Sequence, residues 1–453
     1  MALNKNDIVR LEITGMSNDG NGVGRHEGMA VFVPFTLIDD IIDCKLVKIK
    51  SSYAFGIVAK LIQSSPNRCD ANCDVFKKCG GCSFCHMTYA EELKVKQDFV
   101  SSSFKRIGKL EVEWDRILGC EKTENYRNKA QYPVSEKDGK LFCGFYSKRS
   151  HNVVNYLDCS LQPKVFKNIT SEIINWCQKN SIKAYNELTN KGLLRHIYLR
   201  KGEYSNKIMV CLVVTDITGA NFKSFGKYIS NKFSDIKSVI INLNNKKTNV
   251  ILGDKCTTVF GDDYIQDEMC GKKFKISPLS FYQVNTLQAE KLYNIAKEYA
   301  NLKEGESLLD LYCGIGTIGL SIVSSSNKLI GVEIIPQAIE NAKENAKLNN
   351  ADNAEFICGD AGEIASILIK RGETPDVIIA DPARKGCDEL SIESILRMAP
   401  KRIVMISCNH ATAARDCKIL CDNGYKIDKG VAVDLFPRTT HVECVVLMSR
   451  VKN

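Results

Sequence analysis

Cys408 lies in the stretch Arg402-Ile-Val-Met-Ile-Ser-Cys-Asn-His-Ala-Thr-Ala-Ala-Arg-Asp416, where an apolar, β-branched run from Ile403 to Ile406 reads as a buried strand and Ala411 onward as a helix. A thiol in such a turn is placed for nucleophilic chemistry. Ligands collect at the carboxyl ends of strands in a parallel α/β sheet, and a helix N-terminus lowers a nearby thiol from about 8.5 toward thiolate. The competing reading of any one of the 20 cysteines is a small core residue. Glu443 is a second candidate. His441, Glu443, Val445 and Leu447 alternate with Val442, Cys444, Val446 and Met448, so the final strand is predicted to be buried on both faces. A carboxylate at its start is poorly placed for a merely solvated charge, although a strand-end glutamate reaching water is the alternative.

A third constellation is rich in sulfur: Cys69-Asp-Ala-Asn-Cys73-Asp-Val-Phe-Lys-Lys-Cys79-Gly-Gly-Cys82-Ser-Phe-Cys85. Thiols at Cys73, Cys79 and Cys82, with Gly80-Gly81 letting the backbone fold tightly, have the spacing of metal ligands. Cys69 and Cys85 are local candidates for a fourth ligand and Cys159 a distant one. Structural zinc commonly uses two Cys-x2-Cys units, and only one is present here, which favours an iron-sulfur cluster.

The elements that must position these groups fall into four parts. Residues 1–60 alternate as short strands (Ile8 to Ile13, Ala30 to Val33, Ile41 to Ile49, Phe55 to Leu61), with turns at Asp19-Gly20 and Asn21-Gly22. This is the pattern of a small OB-like β-barrel, a form that often binds nucleic acid. Residues 61–116 hold the cysteines and a connecting helix from Tyr89 to Ile107 with Leu93, Val95, Phe99 and Phe104 on its buried side. Residues 117–280 mix strands and helices.

Residues 281–453 alternate strand and helix. Ser307 to Leu311 runs into Gly314-x-Gly316-x-x-Gly319, a second strand ends in Glu333, and two more end in Asp360 and Asp381. The glycines permit close approach of a nucleotide-like cofactor and Glu333 stands where ribose hydroxyls would lie. Lys426 to Phe436 and Val442 to Met448 read as an antiparallel pair closing the sheet.

Charge is uneven. The net +9 divides into +3 over residues 1–160, +9 over 161–280 and −3 over 281–453. A basic middle fits a polyanion, and Tyr126-Arg-Asn-Lys129 and Arg195-His-Ile-Tyr-Leu-Arg200 offer cations and aromatics suited to phosphates and unstacked bases. No apolar run approaches the ~20 residues needed to span a bilayer, and the N-terminal residues lack a signal-like apolar region, so a cytoplasmic protein with reduced cysteines is expected.

With these residues in view the chain resembles the RNA (uracil-5-)-methyltransferases that use S-adenosylmethionine. The resemblance runs through Tyr126-Arg-Asn-Lys-Ala-Gln, Gly144-Phe-Tyr-Ser-Lys-Arg-Ser-His151, Ser280-Phe-Tyr-Gln-Val-Asn-Thr-Leu-Gln288, Asp381-Pro-Ala-Arg384, Ser407-Cys-Asn409 and Phe436-Pro-Arg-Thr-Thr-His-Val-Glu443, in family order. It implies an α/β fold: a C-terminal Rossmann-like class I methyltransferase domain with a seven-stranded, mostly parallel sheet, an N-terminal TRAM barrel and a central α+β domain with an iron-sulfur cluster. It also implies that Gln283, Tyr312, Glu333, Asp360 and Asp381 bind S-adenosyl-L-methionine, that Cys408 is the nucleophile and Glu443 the base, and that Cys73, Cys79, Cys82 and Cys159 hold a 4Fe-4S cluster. The barrel and cysteines are closer to members acting on 23S ribosomal RNA than to the tRNA enzyme. Where the family usually reads Asp-Pro-Pro-Arg and Ser-Cys-Asn-Pro, Ala383 and His410 stand here, which predicts looser turns.

The chemistry asks for these types. Carbon 5 of uracil is a weak nucleophile until a thiolate adds at carbon 6, and the methylated adduct must then lose its carbon-5 proton to a carboxylate. The base must be flipped or lie in a loop to reach such a pocket. An NAD-dependent dehydrogenase shares the glycine pattern but leaves Cys408, Glu443 and the thiols unused. A non-catalytic RNA-binding iron-sulfur protein explains the charge and the cysteines but not an intact Cys408 and Glu443.

Overall fold

The structure is a computed structural model that describes residues 3–451. Five strands, Ile8–Met16, Asn21–His26, Met29–Pro34, Ile41–Ile49 and Tyr53–Gln63, close a barrel around Leu11, Ile13, Val31, Val33, Ile42 and Leu46. The strand Asn21–His26 falls where the sequence reads only a turn. Its glycines hide it: a Cβ on Gly22 would lie 2.1 Å from Thr36 Oγ1 and one on Gly24 2.6 Å from the Glu12 carbonyl, so close strand packing has displaced the side chains that give strands their pattern.

The connecting helix is Tyr89–Ser103, ending in a π-turn, Phe104–Gly108. Val95, Phe99 and Phe104 are buried as expected, and Leu93 half so. Beyond it a seven-stranded sheet runs in the order Lys255–Gly261, Ile236–Leu243, Ile208–Val214, Leu194–Lys201, Lys129–Lys137, Lys140–Tyr146, Val153–Asn155. Helices Val165–Lys179 and Phe222–Lys232 cover it, meeting where the Trp176 and Phe225 rings lie 4.9 Å apart.

The C-terminal sheet has eight strands, not seven: Ala354–Cys358, Lys328–Glu333, Ser307–Leu311, Val377–Ala380, Arg402–Ser407, Glu443–Arg450, Tyr425–Val433 and Trp114–Leu118 in spatial order. The first five are parallel, and Glu443–Arg450 is antiparallel to both neighbours. The antiparallel pair therefore does not close the sheet. Trp114–Leu118 adds an edge in parallel to Tyr425–Val433, its Trp114 ring filling the space over Gly430, where a Cβ would come within 2.7 Å. A boundary at residue 116 thus falls inside a strand that the sheet shares with the linker.

Candidate active site

Strand register brings the two reacting candidates together. Ser407 pairs with Cys444 across the antiparallel ladder, which sets Cys408 opposite Glu443 at the open end of the sheet. Asp381 follows the strand Val377–Ala380 one position over. The three groups and Arg384 form one electrostatic set. Burial, then Asp381, pushes Glu443 up to about 8, with Arg384 opposing. Burial alone raises Asp381 to about 7.

The Cys408 thiol is raised to about 11, first by burial and then by Glu443 and Asp381, while the positive charge of Arg384 pulls the other way. The sequence favours a thiolate at the helix end, whereas burial, and after it the carboxyl groups of Glu443 and Asp381, favour the thiol, and Cys408 precedes the cap residue Asn409.

Neither departure from the family motifs leaves a loose turn. His410 is buried as the first helical residue, its Nδ1 2.7 Å from Ser103 Oγ and its ring stacked on Phe99. Asn409 caps the helix by accepting from the Ala411 N–H and donates through Nδ2 to the Arg384 carbonyl at 2.8 Å. The Ala383 carbonyl accepts from the Gly386 N–H at 2.8 Å, and Gly386, at φ +80°, packs against Arg415 and Asp416. Arg384 also lies 3.2 Å from the His441 ring, a contact joining the Asp-Pro-Ala-Arg turn to the loop before Glu443. Arg384 is a site residue to which the sequence assigns no role, although its motif is visible there.

The cofactor side is a backbone cradle. Tyr312, Gly314 and Gly316 all have positive φ (68°, 56° and 82°), the region that favours glycine, and a Cβ on Gly319 in the helix that follows would lie 2.9 Å from Asp310 Oδ2, so that helix packs directly on the strand. Glu333 accepts from the Gly314 N–H at 3.2 Å and the Ile335 N–H at 2.9 Å. Tyr312 donates to Ser391 Oγ at 3.0 Å.

Asp310 beneath the loop is fully buried, with Oδ2 accepting from the Gly319 N–H at 2.9 Å and Oδ1 unpartnered; burial, Asp381 and Glu333 raise it to about 8. Gln283 is buried in a segment that crosses the rim: Ser280 is tied to Asn341 at one end and Asn285 to the Leu435 carbonyl at the other. Asp360 caps the helix Ala361–Lys370, Oδ1 accepting from the Gly362 and Glu363 N–H groups. Asp310, Glu333 and Asp381 make this end of the sheet acidic. The chemistry of that acceptor set fits a cofactor carrying an ammonium and a sulfonium better than a dinucleotide pyrophosphate, which these carboxylates would repel.

Five thiols, Cys73, Cys79, Cys82, Cys85 and Cys159, line one cavity of about 300 Å3, with Arg127 and Lys129 on its wall. Gly80 lies against the backbone of Tyr146 and Lys148, where a Cβ would meet atoms at 3.1 to 3.2 Å, which is why the turn takes glycine. Cys69 is exposed and outside the cavity. Among the described residues no group of three or more His, Cys, Asp or Glu side chains is arranged to hold a metal ion.

The cation-aromatic runs of the middle region are not where the sequence reading puts them. Arg195, His196, Tyr198 and Arg200 are buried, because the strand Leu194–Lys201 is central to a sheet covered on both faces. Arg195 donates to the Asn244, Lys246 and Thr248 carbonyls and lies over the Tyr185 ring, and Tyr126 is buried with its hydroxyl on the Pro437 carbonyl. Exposed cations gather elsewhere: Lys48, Lys77, Lys148 and Arg149 surround a groove of about 600 Å3 between the barrel and the cysteine loop, with Phe35 and Phe55 on its walls. Among the described residues no helix is long and apolar enough to cross a membrane.

A Rossmann-like sheet with a glycine cradle, an acidic rim and a cysteine opposite a glutamate is joined here to a five-stranded barrel. Residues 88–451 match the family model described as tRNA (uracil-5-)-methyltransferase, and residues 3–59 match the TRAM domain. The chain belongs to the RNA (uracil-5-)-methyltransferase family. It is 43% identical over 449 residues to an RNA methyltransferase of Bacillus cereus, covering 99% of this chain and 98% of that one. It is 40% identical over 445 residues to an RNA methyltransferase of Clostridium tetani, covering 98% and 97%.

The solved tRNA (uracil-54, C5)-methyltransferase of Pyrococcus abyssi, in complex with S-adenosyl-L-homocysteine, superposes with a TM-score of 0.78 at 27% identity, covering 97% of this chain and 100% of that one. Coverage of that extent includes the barrel, so the barrel does not separate ribosomal from transfer RNA enzymes as the sequence reading expects.

Proposed function

We propose that this protein methylates carbon 5 of a uridine in RNA, with Cys408 as nucleophile and Glu443 as base. The observation that carries the reading is the register that sets Cys408 opposite Glu443, with the positive charge of Arg384 favouring the thiolate. The Cys408 thiol gives up its proton to water, the thiolate adds to carbon 6, and the C5=C6 electron pair moves onto the carbonyl at carbon 4. S-adenosylmethionine, when bound, supplies an electrophilic methyl group to which carbon 5 can bond. Arg384 is the group in the site that favours the thiolate. Glu443 then takes the carbon-5 proton, the double bond re-forms and the thiolate leaves. A carboxylate held up near 8 by burial is a stronger proton acceptor than an ordinary one. Gln283, Tyr312, Glu333, Asp360 and Asp381 hold the cofactor along the acidic rim.

The groove of Lys48, Lys77, Lys148 and Arg149 grips the flanking strand, and Phe281, 67% exposed and two residues before Gln283, offers a ring for an unstacked base. The thiol cavity would take a 4Fe-4S cluster through Cys73, Cys79, Cys82 and Cys159, with Cys85 in reach as a fifth thiol; its room and the Arg127 cation suit an anionic cluster better than one small ion. Iron and sulfide after anaerobic purification support this, and stoichiometric zinc without sulfide contradicts it.

The substrate is 23S ribosomal RNA in this reading, in the cytoplasm. Transfer RNA is the second reading, favoured by the full-length similarity to the Pyrococcus abyssi enzyme. Incubating the purified protein with labelled cofactor and either unmodified ribosomal RNA or unmodified tRNA, followed by nucleoside analysis, decides between them. 5-Methyluridine in ribosomal RNA supports the first, and 5-methyluridine in tRNA alone replaces it with the second. Methyl transfer to another base or position overturns the reaction itself.

A further inference from the structure

Lys96 is completely buried in the middle of the connecting helix, where a lysine is rarely found without a reason. Its Nζ donates to Glu92 Oε1 at 2.7 Å, to Asp434 Oδ1 at 2.7 Å and to the Phe436 carbonyl at 3.2 Å. Both carboxylates are themselves buried. Tyr89 donates to Asp434 Oδ2 at 2.8 Å, and the Arg438 N–H donates to Glu92 Oε1 at 2.7 Å. Arg438 takes a left-handed conformation, φ 70°, to do so.

All these contacts converge on residues 434–442, the loop that enters the strand of Glu443. Asp434 directly follows Val433, and Val433 is paired with Glu443 across the ladder. The ammonium therefore fixes the strand end beside the base, although among the described residues it touches neither Cys408 nor Glu443. The rest of the loop is held by the same side of the molecule. Ser83 and Phe84 donate backbone N–H groups to the Arg438 carbonyl, Tyr126 donates to the Pro437 carbonyl, and Gly20 of the barrel sits against Thr440, where a Cβ would come within 2.9 Å.

A buried ion network costs desolvation and is seldom a net gain in stability over an apolar one, so its presence here calls for a role in specifying one geometry. We propose that Lys96, through Asp434 and the Phe436 carbonyl, is a positioning residue that holds Glu443 where it takes the carbon-5 proton. This rests on the reading of Glu443 as the base. Cys408 is carried by a different strand and helix, so loss of Lys96 slows release of the methylated adduct more than its formation.

The test is single-turnover kinetics of the full-length protein with labelled cofactor and substrate RNA, resolved on denaturing gels that separate free RNA from covalently bound RNA. Lys96→Met removes the ammonium. Asp434→Asn keeps the shape while removing the charge that pairs with Lys96 and accepts from Tyr89, and it carries the test where the methionine variant does not fold. The expected result is methyl incorporation within about threefold of wild type and an adduct lifetime longer by about tenfold or more, because small displacements of a base cost that much.

A folded variant with wild-type adduct lifetime overturns the proposal. So does an equal fall in adduct formation and release that follows the loss of thermal stability, which is what a merely structural role gives. Glu443→Gln in the same experiment separates the two levels: if it accumulates no adduct, the reading of Glu443 has failed, whereas if it does and the Lys96 and Asp434 variants do not, only the positioning role has.

Discussion

Glu92 and Glu443 are both buried glutamates, and they live in opposite surroundings. Glu92 has Lys96 at 2.7 Å, the Arg438 N–H at 2.7 Å and the Arg438 guanidinium at 3.5 Å. Glu443 has only the opposing influence of Arg384 against burial and the neighbouring Asp381. Burial raises both carboxyls, and at Glu92 the attraction of Lys96 works against it. Removing a carboxylate from water makes its proton affinity high, and a partner then decides whether the group becomes a fixture or a reagent. Lys96 and the Arg438 N–H both bond Glu92 Oε1, and the Arg438 guanidinium stands 3.5 Å from Oε2, so the clamp is built of opposite charges that hold. Among the described residues Glu443 faces no ammonium, and with Arg384 alone opposing burial and Asp381 its proton can move.

The comparison is broken most plainly by exchanging each glutamate for glutamine. Turnover is expected to fall by about 10^3 or more in Glu443→Gln, as for loss of a group needed in the chemical sequence, and by no more than about tenfold in Glu92→Gln. Steady-state methylation of the same RNA by both variants is the check.

Stability is expected to move the other way. Glu443 has a folded-state pKa of about 8, above its ordinary 4.5. Below pH 4.5 the group is protonated in both folded and unfolded chains and contributes nothing. As pH rises from 4.5 to 8 the unfolded chain ionises and the folded chain resists, so stability is progressively lost. Glu443→Gln removes that loss, and thermal melts should show a gain that is absent near pH 4.5 and grows to about 2–4 kcal/mol by pH 8. Glu92→Gln should instead destabilise by about 2–4 kcal/mol, because a buried ammonium loses one of its two carboxylates. Equal shifts of the same sign in the two variants would erase the distinction.

The rate of adduct release in the wild type should rise about tenfold per pH unit below pH 8 and level off above it, as Glu443 gives up its proton. A flat profile between pH 6 and 9 would mean that another group receives the carbon-5 proton. The smallest expected effect is on RNA binding. Neutralising Lys77, Lys148 and Arg149 should weaken affinity and reduce the salt slope by about one for each phosphate that is no longer engaged. Neutralising Lys223, Lys227 and Lys237 of the basic middle region should do less.

The rim is largely legible in the sequence because its groups occupy strand ends, where apolar runs stop at a polar residue: Glu333, Asp381, Cys408 and Glu443 all stand so. What reaches across the chain is not. Lys96 reads as one more charge on an amphipathic helix, since its partner Asp434 lies 338 residues away. Arg384 stands in a recognisable motif, but nothing local shows that it faces the thiol. For the thiol itself the local reading leaves out the larger influences, because a helix end is visible in sequence while burial and the carboxyl groups of Glu443 and Asp381 folding in beside it are not. Arg195 and Arg200 are misplaced for a related reason: cations interleaved with aromatics look the same on an open face and in a covered sheet, and only the strand order distinguishes them. The strand Asn21–His26 is hidden by its glycines.

The central claim is that Cys408 bonds to the base and Glu443 frees it. Glu443→Gln incubated with labelled RNA and cofactor, then denatured and run on a gel, measures this directly. A slow-migrating covalent complex carrying the transferred methyl group, absent when Cys408 is also replaced by alanine, is the result expected. A folded Glu443→Gln that turns over normally with no such complex, or a complex that persists without Cys408, would contradict it.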